Sequence, residues 1–123
     1  MTAPPSLPPA AQRVERLLAD AGHSHPVQLL PDSARSAAEA AAALGCDVAQ
    51  IVKSIVFRGA DGRAVVVATS GAPRVDVELL SAAVGDIGRA DAAFVKEATG
   101  YSIGGVSPFG LPATAVLLVD LSL

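Results

Sequence analysis

The sequence predicts a single α+β domain in which helices surround a mixed, mainly antiparallel β-sheet. Its 123 residues match the length of one domain. Hydrophobic residues make up 51% of the chain but aromatic residues only 3%, which indicates a folded protein with an aliphatic core. Helical and strand patterns alternate irregularly and include one clear hairpin, which favours an α+β fold over a regular series of parallel units.

The N-terminal residues are rich in proline. Residues 1–9 hold four of the nine prolines, which predicts a flexible tail that precedes a domain at residues 10–123. Apolar side chains then recur at helical spacing from Ala10 to Ala21, and Gly22 can supply the left-handed stop. The sequence therefore predicts a first helix directly after the tail.

A second helix is predicted from its capping residues. Pro26–Leu30 is first a candidate for a short strand. Ser36 and Glu39 then have the spacing of a capping box, which predicts an alanine-rich helix over Ala37–Leu44. Asp47–Gln50 is expected to add one further helical turn.

A β-hairpin is the strongest signal in the middle of the chain. Ile51–Arg58 alternates as a β-branched strand, and the apolar run Ala64–Ser70 follows the turn sequence GADG. The spacing predicts two adjacent antiparallel strands.

The last third of the chain predicts two helices and two strands. Asp76 can cap a helix that ends at Val84, and Asp91 can cap another that ends at Ala98. Asp86–Ala90 between them predicts a short strand, and the apolar segment Ala113–Leu121 predicts the last one.

The charge of the chain argues against a broad nucleic-acid-binding surface. Nine Lys and Arg residues stand against twelve Asp and Glu residues, for a net charge of −3. Affinity for phosphate backbones requires clustered cations, so only a local contact with a nucleic-acid end is compatible with this composition.

Other features indicate a cytoplasmic protein and do not support a metal site. No apolar run approaches the roughly 18 residues of a membrane span, and the N-terminus lacks the pattern of a signal peptide. The single cysteine, Cys46, fits a reducing compartment. His23 and His25 lack the spacing and companions of a metal site.

Lys53 is the most informative single residue. Side chains alternate along a strand, so Lys53 is predicted to share a face with Ile51, Ile55 and Phe57. An ammonium beside apolar side chains costs free energy unless it meets an anion or water. The position therefore suggests a partner such as a phosphate, and the alternative is a lysine that extends from a sheet edge into solvent.

A glycine-rich loop is the second candidate for chemistry. Gly104 and Gly105 allow the backbone to approach a ligand closely, and Pro108 fixes the far side of the loop. Such a loop can hold a carbonyl oxygen or an oxyanion, although a tight bend between strands is an equal alternative. It has the pattern of neither a P-loop nor a dinucleotide-binding fingerprint.

Protein nucleophiles have little support in the sequence. Six serines lack the strand-turn-helix context in which a Gly-x-Ser-x-Gly motif presents a nucleophile: Ser36, Ser54, Ser70, Ser81, Ser102 and Ser107. Cys46 is better explained as a small, partly buried side chain. An enzyme with this sequence would act by positioning and polarising its substrate.

Three segments together resemble the YbaK family, the freestanding aminoacyl-tRNA deacylases related to the editing domain inserted in bacterial prolyl-tRNA synthetases. They are VKSIVFR at 52–58, SGAPRVD at 70–76 and ATGYSIGGVSPFG at 98–110. The resemblance extends over about residues 10–121 and implies the editing-domain fold. It also implies hydrolysis of the ester between a wrong amino acid and the terminal adenosine of a tRNA, commonly the tRNA for proline.

The resemblance also implies roles for particular residues. Lys53 matches the lysine that contacts the terminal nucleotide and orients the ester, and the loop from Gly104 to Pro108 matches the loop that positions the aminoacyl carbonyl. The implied catalytic residues are Lys53, Gly104 and Gly105. The implied substrate-binding residues are Ser54, Ser70, Arg74, Val106, Ser107 and Pro108, although Arg74 could equally be a structural ion-pair partner.

The resemblance implies a substrate-assisted reaction without cofactor, in which the partner is aminoacyl-tRNA. A prolyl-tRNA synthetase or an elongation factor is a candidate for delivering it, and a monomer is expected. The alternatives are a non-catalytic module of the same fold that binds a nucleotide, a tRNA end or a protein, and an inactive remnant. Family members usually continue past the strand at Ala113–Leu121, so the chain, which ends at Leu123, is expected to lack the usual C-terminal end.

Overall fold

The computed structural model describes residues 7–30, 36–71, 75–121 and 123. The helices are α1 (Pro9–Asp20), α2 (Ala37–Leu44), α3 (Val77–Val84) and α4 (Ala92–Thr99), with a 3-10 turn at Val48–Gln50. The strands are β1 (Val52–Gly59), β2 (Ala64–Ser70), β3 (Ile87–Arg89) and β4 (Val116–Val119). No helix within these residues is long and apolar enough to cross a membrane.

The strands form one mixed sheet in the order β3-β1-β2-β4. β1 and β2 form the predicted hairpin, with register from Val52↔Ser70 to Arg58↔Ala64. β3 lies antiparallel to β1, and β4 lies parallel to β2. The prediction of a mixed, mainly antiparallel sheet with helices around it is confirmed.

The core is centred on β2, whose residues are all buried. Val65 and Val67 of this strand pack against Leu80 of α3. The partly buried side chains around this cluster are Phe57, Val75, Val84, Ile87, Val116 and Leu118. Phe57 is the one aromatic residue among them, so the core is aliphatic, as the composition predicts.

The predicted helix caps are present. Ser36 accepts a hydrogen bond from the Glu39 N–H at 3.1 Å and so opens α2, and Asp76 and Asp91 cap α3 and α4 in the same way. Helix α1 begins at Pro9, one residue earlier than predicted, because proline is well accommodated in the first turn of a helix. Residues 1–6 of the predicted tail lie outside the described residues.

Two strand predictions need correction. Pro26–Leu30 is not a strand, because the Val27 N–H donates to the Glu15 carboxylate of α1 at 2.9 Å instead of pairing with a neighbouring strand. The strand predicted over Ala113–Leu121 is shorter, because the Ala115 N–H closes a turn onto the Pro112 carbonyl at 3.0 Å. β4 therefore begins only at Val116.

Candidate functional site

A cleft of about 710 Å³ lies between helix α2, the first half of β1 and the glycine-rich loop. Helix α2 contributes Ala37 and Ala40, and β1 contributes Lys53 and Ser54. The loop side is formed by Gly104, Gly105, Val106, Pro108 and Phe109. The two features singled out in the sequence, the strand lysine and the glycine pair, therefore face one space.

Lys53 lies half-buried on β1, directly opposite Thr69 of β2. Among residues 36–71 and 75–121, no carboxylate forms an ion pair with it. Its strand neighbour Phe57 packs against the core on the predicted shared face. A half-buried ammonium without a protein counter-ion favours an anionic group of a ligand.

The end of the glycine-rich loop is fixed by Tyr101 and by helix α1. The buried Tyr101 donates its hydroxyl hydrogen bond to the Phe109 carbonyl at 2.7 Å. Arg13 of α1 donates to the Gly110 carbonyl and lies over the Tyr101 ring, 4.9 Å from its centroid. Gly110 has φ +76°, a conformation that favours glycine, and a Cβ there would lie 2.7 Å from the Leu17 side chain.

The two central glycines have different roles in the loop. Gly104 has φ +83°, a conformation that favours glycine. Gly105 donates its N–H to the Ser102 carbonyl at 2.9 Å, so this donor is already used within the loop. The N–H groups of Gly104 and Val106 have no backbone partner among the described residues and remain as donors for a carbonyl or an oxyanion.

The structure brings most of the predicted site residues together. Those that line the cleft are Lys53, Ser54, Gly104, Gly105, Val106 and Pro108. Ser107 lies at the loop but accepts the Phe109 N–H at 3.0 Å, and Ser70 is buried and donates to the Ala49 carbonyl at 2.7 Å. Neither of these serines lines the cleft. Arg74 lies outside the described residues.

Helix α2 is the part of the site that sequence reasoning did not identify. Its position over β1 depends on Gly71, where a Cβ would lie 2.9 Å from the Ala37 Cβ and 2.8 Å from the Val48 carbonyl oxygen. The available signal was the run of alanines, since small side chains leave room for a ligand. The contact between α2 and Gly71 joins distant parts of the chain, so no pattern in the sequence of the helix predicts it.

A second cavity of about 490 Å³ lies at the far end of the hairpin. Its two cations already have protein partners, since Arg63 pairs with Asp61 and Arg58 lies 4.9 Å from the Phe94 ring centroid. The backbone N–H of Arg63, together with its guanidinium, lowers the pKa of the Asp61 carboxyl below its usual value. The cavity is therefore less suited to an anionic ligand than the cleft at Lys53.

The chain belongs to the aminoacyl-tRNA editing domain family, whose model matches residues 31–123. This confirms the resemblance found in the three sequence segments. The matching model describes one domain. The solved structures and the relative described next show how much of the chain is similar to known proteins.

Two solved structures share the fold. A crystal structure of a candidate trans-editing enzyme for prolyl-tRNA synthetase is 42% identical, with a TM-score of 0.84 over 94% of this chain and 74% of that one. A structure from computational grafting of linear epitopes onto scaffold proteins is 39% identical, with a TM-score of 0.83 over 93% of this chain and 74% of that one. The predicted editing-domain fold is confirmed.

A curated relative is longer than this chain. The uncharacterized protein YwhH of Bacillus subtilis (strain 168) is 32% identical over 92 residues, which are 74% of this chain and 59% of that protein. The match therefore spans about three fifths of the length of that relative.

Proposed function

We propose that this protein is a trans-editing hydrolase that deacylates mischarged aminoacyl-tRNA. The observation that carries the proposal is that Lys53 and the Gly104–Gly105 backbone line one cleft. Membership of the editing domain family and the likeness to a candidate trans-editing enzyme support the same activity.

The cleft suits a substrate-assisted ester hydrolysis. Lys53 holds a phosphate or the polarised ester, and the free N–H groups of Gly104 and Val106 donate to the carbonyl oxygen as it gains negative charge. A water molecule adds to the carbonyl carbon, and the ester C–O bond breaks. The attacking water gives one proton to the departing ribose oxygen, so the tRNA end leaves as a free hydroxyl and the amino acid as a carboxylic acid. No protein nucleophile takes part because an ester needs less activation than an amide.

The substrate we favour is the tRNA for proline that carries a small wrong amino acid. The cleft wall from α2 consists of alanine side chains, and the glycine loop faces it. Binding alone discriminates one methylene by roughly 1–3 kcal/mol, so a synthetase that confuses small amino acids gains accuracy from a second, hydrolytic site.

The acidic net charge favours delivery of the substrate by another protein. With a net charge of −3, the protein holds the tRNA end in its cleft and makes few contacts with the rest of the molecule. We propose a cytoplasmic monomer that receives tRNA from a prolyl-tRNA synthetase or an elongation factor. Adding either protein should raise the deacylation rate at low tRNA concentration, and an unchanged rate with both would contradict delivery.

The activity is tested with a panel of mischarged tRNAs. We expect release of a small amino acid such as alanine, serine or cysteine from tRNA for proline, and no release from correctly charged prolyl-tRNA. The measurement is acid-precipitable radioactive amino acid over time, with buffer alone as control. Binding of the tRNA without release of any amino acid would instead identify a non-catalytic module of the same fold.

A further inference from the structure

One edge of strand β1 presents backbone groups to the site. The Gly59 N–H donates to the Arg63 carbonyl at 2.8 Å, and the Gly71 N–H donates to the Ile51 carbonyl at 2.6 Å. Odd-numbered residues of this strand therefore direct their backbone groups toward β2. Even-numbered residues, among them Ser54 and Val56, direct theirs to the opposite edge.

This opposite edge is covered by β3 only at its far end. The pairing of β1 with β3 runs from Gly59↔Ile87 to Phe57↔Arg89 and stops there. The carbonyl of Ser54 and the N–H of Val56 come before this point. Neither has a hydrogen-bond partner within the part of the chain that the structure describes.

A narrow cavity of about 200 Å³ lies between this edge and the glycine-rich loop. Its apolar walls include Val56, Val95 of α4 and Ile103. It shares Ser54, Gly104 and Val106 with the larger cleft, so the two spaces adjoin. Such a cavity suits a flat ligand whose apolar faces contact these walls and whose polar edge bonds to the unpaired backbone groups of β1.

We propose that this cavity binds the adenine ring of the terminal adenosine, with the Ser54 carbonyl accepting from the N6 amine and the Val56 N–H donating to N1. A carbonyl at one residue and an N–H two residues later lie side by side on one edge of a strand. Adenine presents the complementary donor and acceptor on its Watson–Crick edge. This inference rests on the proposed function, because it places the end of the same substrate.

The alternative occupant is the apolar side chain of the amino acid. Such a side chain would leave the Ser54 carbonyl and the Val56 N–H without partners when water is expelled. A buried backbone group without a partner loses its hydrogen bond to water and gains none in return, which favours the purine over the side chain.

Modified terminal nucleosides test the proposal. Mischarged tRNA for proline is prepared with terminal purine riboside, which lacks the N6 amine, with 1-deazaadenosine, which lacks N1, and with 7-deazaadenosine as the control. We expect kcat/KM to fall about tenfold with purine riboside and with 1-deazaadenosine, since each loses one hydrogen bond to the protein. We expect it to stay unchanged with 7-deazaadenosine, which loses none. Equal values for all four nucleosides would overturn the proposal.

A backbone variant tests the same contact from the protein side. Val56→Pro removes the outward N–H without removing a hydrogen bond between β1 and β2, a position at which proline is tolerated in a sheet. Val56→Ala is its control for the lost side chain. We expect the penalty for 1-deazaadenosine to disappear in Val56→Pro and to persist in Val56→Ala, as in a double-mutant cycle. A penalty that persists in both would contradict the contact.

The two proposals fail in different ways. If no mischarged tRNA with a natural adenosine end is hydrolysed, the proposed activity is wrong. If natural ends are hydrolysed and the nucleoside analogues behave alike, the activity stands and the adenine site is wrong.

Discussion

Lys53 and Lys96 are the two lysines of the chain, and their environments differ. Lys53 is half-buried and faces the cleft, whereas Lys96 is exposed on α4 and donates to the Gly100 carbonyl at 3.3 Å. The alternation of side chains along β1 was enough to place Lys53 on the apolar face from the sequence. The sequence could not predict that Lys53 lacks a counter-ion within the described residues, because this depends on which side chains the fold brings near.

Thr69, opposite Lys53, leads to a prediction about stability. Its side chain is fully buried, and its hydroxyl has no hydrogen-bond partner in the described part of the chain. Thr69→Val removes an unsatisfied polar atom and keeps the shape, so we expect the free energy of unfolding to rise by about 1 kcal/mol. Denaturant titration measures the change.

Thr99→Val is the matched control for Thr69→Val. The buried Thr99 hydroxyl donates to the Val95 carbonyl at 2.7 Å and accepts the Tyr101 N–H at 3.1 Å. Its loss should lower the free energy of unfolding by about 1–3 kcal/mol. Equal destabilisation by the two substitutions would show that the Thr69 hydroxyl has a partner.

At the scale of the elements, helix α2 and the glycine-rich loop form the two sides of the cleft. The cap at Ser36 and the glycines of the loop could be predicted from the sequence, because capping and turn residues act locally. The packing of α2 on Gly71 could not, because it joins distant parts of the chain. The strand predicted at Pro26–Leu30 is wrong for a similar reason, since the Val27 N–H donates to the Glu15 carboxylate of α1, a contact between different elements.

Gly71→Ala tests the packing of α2. The new methyl group would lie under 3.0 Å from the Val48 carbonyl oxygen and the Ala37 side chain, so the free energy of unfolding should fall by about 1–3 kcal/mol. Gly88→Ala is the control, because its Cβ would lie 4.0 Å from the Arg58 carbonyl oxygen, which is ordinary van der Waals contact. Thermal unfolding compares the two variants, and equal midpoints would contradict the packing.

Gly105→Ala tests the loop without disturbing the fold. A Cβ there would lie 3.7 Å from the Ser102 carbonyl oxygen, which is ordinary contact, and would stand at the cleft. We expect an unchanged midpoint of thermal unfolding and a fall in kcat/KM of about tenfold or more, as the displaced ester loses its orientation. Full activity would show that the substrate does not approach Gly105.

At the scale of the whole molecule, composition and patterning predicted the class of fold and the aliphatic core. The sheet order could not be predicted, because the parallel pairing of β4 with β2 joins strands separated by α3, β3 and α4. The net charge of −3 is compatible with the proposed contact with a single tRNA end.

The charge leads to a prediction about salt. If Lys53 is the main contact with phosphate, the logarithm of kcat/KM should fall with the logarithm of salt concentration with a slope of about −0.7, the contribution of one contact with a single strand. Deacylation rates from 50 to 300 mM salt, a range of about sixfold, measure the slope. A slope of about −5 would instead require a broad cationic surface.

The most direct test of the account compares Lys53→Ala and Lys96→Ala in one deacylation assay on mischarged tRNA for proline. We expect Lys53→Ala to lose activity by about 100-fold, as for loss of a single group that stabilises the transition state, while its unfolding midpoint is unchanged. Lys96→Ala should remain within about twofold of the unmodified protein, because surface substitutions have small effects. A Lys53→Ala variant with full activity would contradict the central claim.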